Sequence, residues 1–165
     1  MPAGGRSLNK AALAGLALAA LAGCGQPEWM ATREPLPDPP AWSQPFVGRP
    51  LSQGHVLAPD EACAGMAEQV EIRYRGPRPG SRLLGWGWDG IGRAPVAGVL
   101  ITDPDGLVVG AGESGLARPD VPAARSDVTS GATGWWALTT RTEGPVEVYG
   151  VLADGRACLL GRIRL

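Results

Sequence analysis

The hydrophobic pattern of the chain changes character three times. Residues 11–23 are an unbroken run of Ala, Leu and Gly. From Gly25 to about Pro50 apolar residues lose any period, and Pro27, Pro35, Pro37, Pro39, Pro40, Pro45 and Pro50 break helix and central strand alike. From residue 66 onward short apolar runs alternate with turn signals, the period-2 pattern of half-buried strands. The runs predict strands over 66–74, 81–89, 97–102, 107–111, 134–140, 145–152 and 156–165. In the first, Val70 and Ile72 share a face; in the second, Leu84, Trp86 and Trp88 point one way and Leu83, Gly85 and Gly87 the other. Turns fall at 76–80, at Asp103-Pro104-Asp105-Gly106 and at Ala153-Asp154-Gly155, with a long loop from about 112 to 133. Seven short strands without helices between them predict an all-β domain: one antiparallel β-sandwich of immunoglobulin-like kind, with an open barrel as the alternative.

The aromatic residues refine this picture. Gly85 and Gly87 leave a furrow on one face of their strand, which a neighbouring ring commonly covers. Trp135 and Trp136 are adjacent, so in a strand one enters the core while the other either covers such a furrow or stays exposed. Trp86 and Trp88 are expected to fill the sandwich core. Trp136 and Tyr149 are the aromatic candidates for a ligand or partner surface. Arg118 and Asp120, in the long loop, are expected to pair and pin it, and they form the polar part of the same candidate surface.

The first apolar run is too short to span a bilayer, which takes about 20 residues. It follows Arg6 and Lys10 with no acid before it, the pattern of a secretory signal. It ends in Leu21-Ala22-Gly23-Cys24, which resembles the lipobox of bacterial lipoproteins. That resemblance implies cleavage before Cys24, acylation of its sulfur, and attachment to the non-cytoplasmic side of a membrane, the outer one if the organism has two. The chain then divides into a signal (1–23), a lipidated Cys24 with a Pro-rich tether (24–50), and a β domain (51–165). Trp29, Trp42 and Phe46 in the tether are expected at the membrane interface or folded back on the domain.

Removing the signal changes the charge and cysteine counts. Thirteen basic residues remain against 16 acidic ones, a net −3 with no basic patch, which argues against nucleic acid as a partner. Cys24 is the anchor, leaving Cys63 and Cys158, which an oxidising compartment would pair; two buried free thiols are the alternative.

Within the domain, the series Gly85-Trp86-Gly87-Trp88-Asp89, Pro95-Val96, Asp105-Gly106, Val108-Val109-Gly110, Arg118-Pro119-Asp120-Val121, Gly134-Trp135 and Arg156-Ala157-Cys158 resembles a small β-sandwich module of bacterial envelope proteins. Such modules often stand at the outward end of membrane proteins of polysaccharide biogenesis. The resemblance implies a staple between first and last strands by Cys63 and Cys158. It carries fold rather than activity.

Nothing in the sequence forms a catalytic constellation. His55 is the sole histidine, with no serine or cysteine motif beside it, and no cluster suits zinc. Asp103, Asp105 and Asp154 could be imagined around calcium, but their positions are those of ordinary hairpin turns. The expectation is a non-catalytic envelope lipoprotein, without metal or cofactor. It would bind a surface polysaccharide or an envelope protein, or serve as an assembly accessory.

Overall fold

The computed structural model describes Met1 and residues 31–165. Apart from Met1, the signal expected over 1–23, together with Cys24 and Trp29, lies outside the described residues. Nine strands form one mixed sheet: β1 (Ala31–Thr32), β2 (Cys63–Tyr74), β3 (Gly80–Asp89), β4 (Ala94–Pro95), β5 (Gly98–Thr102), β6 (Val108–Leu116), β7 (Gly134–Thr139), β8 (Pro145–Val151) and β9 (Ala157–Arg164). The order is β1-β2-β3-β7-β6-β5-β8-β9, with β4 beside β3. Among the strand pairs of the described residues only β1 and β2 run parallel. The domain is all-β, with two short helices, α1 (Leu51–Gly54) and α2 (Asp120–Ala124).

Each of the seven strands expected from periodicity is present, and two two-residue strands join them. The sheet curls so that β9 comes beside β2. Cys63 and Cys158 are bonded across that seam, with Cα atoms 6.3 Å apart. Leu160 of β9 lies so close to Gly65 of β2 that a Cβ there would overlap it. The curled inner face holds the main core: Val70, Leu83, Val99, Ile101, Trp135, Ala137, Val146, Val148, Cys158 and Leu160 are buried together. Trp135 is the ring that covers the Gly85 furrow; a Cβ on Gly85 would overlap its indole. Gly87 is covered by Leu160 and Val96 instead.

Two bulges depart from the simple alternation in β2, where the register against β3 shifts between Ala67 and Gln69 and again between Val70 and Ile72. The second shift corrects the expectation that Val70 and Ile72 share a face. Val70 enters the main core, while Ile72 packs on the outer face beside Tyr74 and Trp136.

The outer face is covered piecemeal. The Pro-rich stretch, expected to be a tether through residue 50, is in its described part a strap laid against the sheet. Leu36 and Ser43 are buried, and Leu36 packs on Tyr74 and Leu138. Trp42 lies over Gly98, while Phe46, Val47 and Leu51 cover Leu100, Val108 and Ala111. Proline permits this because strap residues need no ladder partners: the segment alternates extended and 3₁₀ turns, with Ser43 N–H donating to Pro40 O at 3.0 Å. The half-buried His55 closes the strap. Its Nδ1 donates to Gly155 O at 2.7 Å and its ring lies 4.6 Å from that of Phe46.

The second cover is the segment after β6. The loop expected over 112–133 starts later, because β6 continues to Leu116, and it contains α2. Its Val121 and Val128 bury Trp86 and Trp88. Those two rings are therefore buried as expected, but outside the main core, under a lid of their own.

Candidate functional site

Between the strap and the 117–133 loop, the outer face of β2, β3, β7 and β6 is left open. One cross-strand row at its margin reads Met66, Trp86, Gly134, Leu116, with Trp86 roofed by Val121 and Val128; the next reads Gln69, Leu84, Trp136, Glu113. Met66 is 52% exposed and Leu116 40%. Leu84 and Trp136 are half-buried; Glu68 and Arg118 share a cleft with Leu84, and Arg82 shares a recess with Trp136. An apolar centre inside a charged rim is the anatomy of a contact surface.

Two bulges shape this face. Glu68 is the extra residue in β2, and Gly115, at φ +102°, is the extra residue in β6, a conformation that suits glycine. Between them lies a cleft of about 390 Å³ lined by Glu68, Gln69, Leu84, Leu116, Ala117 and Arg118, with Gly134 beneath. A second, shallower recess of about 310 Å³ adjoins it, lined by Pro37, Asp38, Tyr74, Arg82, Trp136 and Leu138.

Arg118 sits at the edge of the cleft. Its Nη1 and Nη2 donate to Glu68 Oε2 and Oε1 at 2.6 and 3.0 Å, and its Nε and Nη2 donate to Asp120 Oδ1 and Oδ2 at 2.9 and 2.7 Å. The expected pairing with Asp120 is present, and Glu68 of β2 completes it. The latch fastens the start of the loop across β3 and β7 to β2. The hydrogen bonds that Arg118 donates to Asp120 and Glu68 raise its pKa further, and the Arg118 guanidinium holds the Asp120 carboxyl below its ordinary range. With both faces of its fork engaged, Arg118 is a fastener first.

Trp136 carries a different contact. The Arg82 guanidinium stands 5.3 Å from its ring centroid, and Arg82 Nε pairs with Glu71 at 2.9 Å. One face of the indole is thus taken, and the residue as a whole remains half-exposed. Tyr149 does not join this surface. It lies on β8, separated from β7 by β6 and β5, and packs on the strap cluster. Its hydroxyl donates to Glu147 Oε2 at 2.7 Å, and Arg162 holds Glu147 from the other side at 2.7 Å. Burial, then Glu147, pushes the Tyr149 pKa up to about 12. Of the four surface candidates read from sequence, Trp136, Arg118 and Asp120 frame one face and Tyr149 belongs elsewhere.

The turn aspartates are occupied by turn chemistry. Asp103 Oδ1 accepts from Asp105 N–H and Leu107 N–H, and its Oδ2 accepts from Arg141 Nη2 at 2.6 Å. Burial pushes its pKa up, but Arg141 and the two backbone donors outweigh that and leave it below the ordinary value. Asp154 is bonded to Arg156. Among the described residues, no group of three or more His, Cys, Asp or Glu is placed to hold a metal ion.

Sequence reasoning missed Met66, Glu68, Leu84 and Leu116. Each falls at or beside a bulge, and a bulge leaves no mark in the alternation until the partner strand is known. No protein-family model matches the chain, and neither a curated protein nor a solved structure matches it.

Proposed function

We propose that this chain is an exported, lipid-anchored envelope protein whose β domain is a non-catalytic docking module for another envelope protein. In this reading the lipobox acylates Cys24, and the curled sheet is a sandwich of immunoglobulin-like kind closed by its disulfide. The observation that carries the docking claim is the open β2-β3-β7-β6 face, with Met66, Leu84, Leu116 and Trp136 inside a rim of Glu68, Arg118, Glu71 and Arg82. The Cys63–Cys158 bond supports export, since such bonds persist in oxidising compartments. Cys24 is then the one cysteine outside that pair.

A second reading, polysaccharide binding, draws on the half-open Trp136 ring beside Arg82 and Asp38. It is the weaker of the two. Trp86, Trp88 and Trp135 are buried, and the described residues offer no line of exposed rings for successive sugars.

Two experiments test the proposal. Radiolabelled palmitate should enter the chain and be lost in Cys24→Ser; label retained in Cys24→Ser would remove the anchor. A photo-crosslinking residue at Leu116 in intact envelopes should give a discrete adduct, while one at Val56, more exposed at 72% but on the strap, should not. Equal adducts from both positions, or none from Leu116, would remove the docking face. Crosslinking suppressed by added envelope polysaccharide, but not by removal of envelope proteins, would favour the second reading.

A further inference from the structure

The row of the open face that holds Leu84 and Trp136 continues past Glu113. Glu113 of β6 lies in register with Trp136 of β7 on one side and with Gly98 of β5 on the other. Gly98 has no side chain to raise, and the Trp42 ring from the strap lies in that place: a Cβ on Gly98 would overlap its ring carbons. Glu113 therefore stands between two indoles, one from the sheet and one from the strap. Neighbouring positions across antiparallel strands are about 5 Å apart, so Trp136 and Gly98 are roughly 10 Å from each other with Glu113 midway. Neither ring is closed off. Trp42 is 37% exposed, Trp136 is half-buried with one face on Arg82, and Glu113 is exposed.

The charges of the face point the same way. Its two arginines are engaged within the domain, Arg118 by Glu68 and Asp120 and Arg82 by Glu71. Glu113 has no ion-pair partner among the described residues. With Glu113 counted, four carboxylates stand against two guanidiniums, and the surplus is negative. A partner bringing a carboxylate would meet arginines that are already held, whereas a partner bringing a cation meets Glu113. The rings add to this attraction, because the face of an indole draws a cation within about 6 Å of its centroid. Arginine suits the place better than lysine. Its planar guanidinium stacks on aromatic faces while it donates two parallel hydrogen bonds to a carboxylate. Arginine and tryptophan are also residues on which interfaces concentrate their binding energy.

We propose that Glu113, walled by Trp42 and Trp136, seats an arginine side chain carried by the envelope protein that docks on the open face. The inference rests on the docking reading and adds the chemistry of the partner: apolar side chains for Met66, Leu84 and Leu116, with an arginine on the strap side. It also makes the strap part of the contact surface through Trp42.

The test uses the full chain purified from the envelope in a neutral detergent and labelled with ¹⁵N at tryptophan. Trp42→Phe and Trp136→Phe assign the two indole N–H signals. N-acetylarginine amide should shift both signals saturably. N-acetylcitrulline amide, of the same shape without the charge, should bind at least fivefold more weakly, and Glu113→Gln should weaken the arginine amide about fivefold. Equal shifts from both amides, no shift from either, or full shifts kept in Glu113→Gln would overturn the seat. Stronger shifts from maltose than from the arginine amide would overturn it too and favour the polysaccharide reading. In intact envelopes, Glu113→Lys should lower the Leu116 adduct at least fivefold, with the thermal midpoint of the purified variant matching the parent. An adduct undiminished in Glu113→Lys overturns the seat and leaves the docking face standing; no Leu116 adduct in the parent removes the docking face, and the arginine partner with it.

Discussion

The two faces of the curled sheet are built by opposite means. The inner face is continuous: residues from β2, β3, β5, β6, β7, β8 and β9 meet in one core, Trp135 and Leu160 fill the glycine furrow, and a disulfide closes the seam. The outer face is assembled from separate pieces. The strap covers one side with Leu36, Phe46 and Leu51; the 117–133 loop covers another with Val121 and Val128 and is fastened by Arg118. What lies between is uncovered. A contiguous core tolerates little change, whereas a surface patched by independent covers can leave a gap without loss of the fold. The difference teaches that the continuous core and its staple lie on the inner face, which leaves the outer one open for the docking role proposed above.

The largest effect should come from the seam of the inner face. Replacing both Cys63 and Cys158 by Ala removes a cross-link over 95 residues, and the chain-entropy estimate is about 4–5 kcal/mol. Chemical denaturation with and without reductant measures it; an unchanged midpoint after confirmed reduction would contradict the role given to the staple. Trp135→Ala should cost nearly as much, about 3–5 kcal/mol, because it empties the space over Gly85 in a fully buried position. Trp136→Ala, one residue away on the outer face, should cost much less, and similar losses for the two would erase the distinction between faces.

An intermediate effect is expected at the β5–β6 turn. The folded Asp103 carboxyl titrates below its ordinary value, so its contribution is present above about pH 4 and is lost as the pH falls through the lower, folded value. Asp103→Asn should cost about 1.5–3 kcal/mol at neutral pH, from weakened charge-assisted bonds. The gap between parent and variant should close in acid. A gap constant from neutral pH to pH 3 would show that the charge contributes nothing.

The inner face was largely legible in the sequence and the outer face was not. Alternation located all seven long strands and sorted Leu83, Gly85 and Gly87 from Leu84, Trp86 and Trp88, but it did not tell which face turns inward: Trp86 and Trp88 were expected in the main core, and the Leu83 face is there instead. Adjacency of Trp135 and Trp136 told that one ring enters the core, but not which, and it gave the furrow to the other ring; Trp135 instead does both. The strap was only partly legible: proline density reads as a free tether, folding back was one of two places expected for Trp42 and Phe46, and burial of Leu36, Ser43 and Leu51 depends on non-periodic contacts with strands far along the chain. The bulges at Glu68 and Gly115 were equally hidden, since two residues opposing one is a property of a pair of strands. The candidate site lies where both failures meet. Arg118 and Asp120 were found because their pairing is local; Glu68, the partner from β2, was not.

The smallest expected effect on stability is also the most direct test of the division between faces. Leu84 is half-buried at the centre of the open face, and its side chain is not part of the buried core. Leu84→Arg should shift stability by only about 0.5 kcal/mol, as at an ordinary surface position. It should also abolish the adduct formed from a crosslinker at Leu116. The measurement is the thermal midpoint of the purified variant alongside its crosslinking yield in intact envelopes. An unchanged midpoint with the adduct lost is the predicted result; a persistent adduct, or a midpoint lowered as far as by Trp135→Ala, would contradict the account.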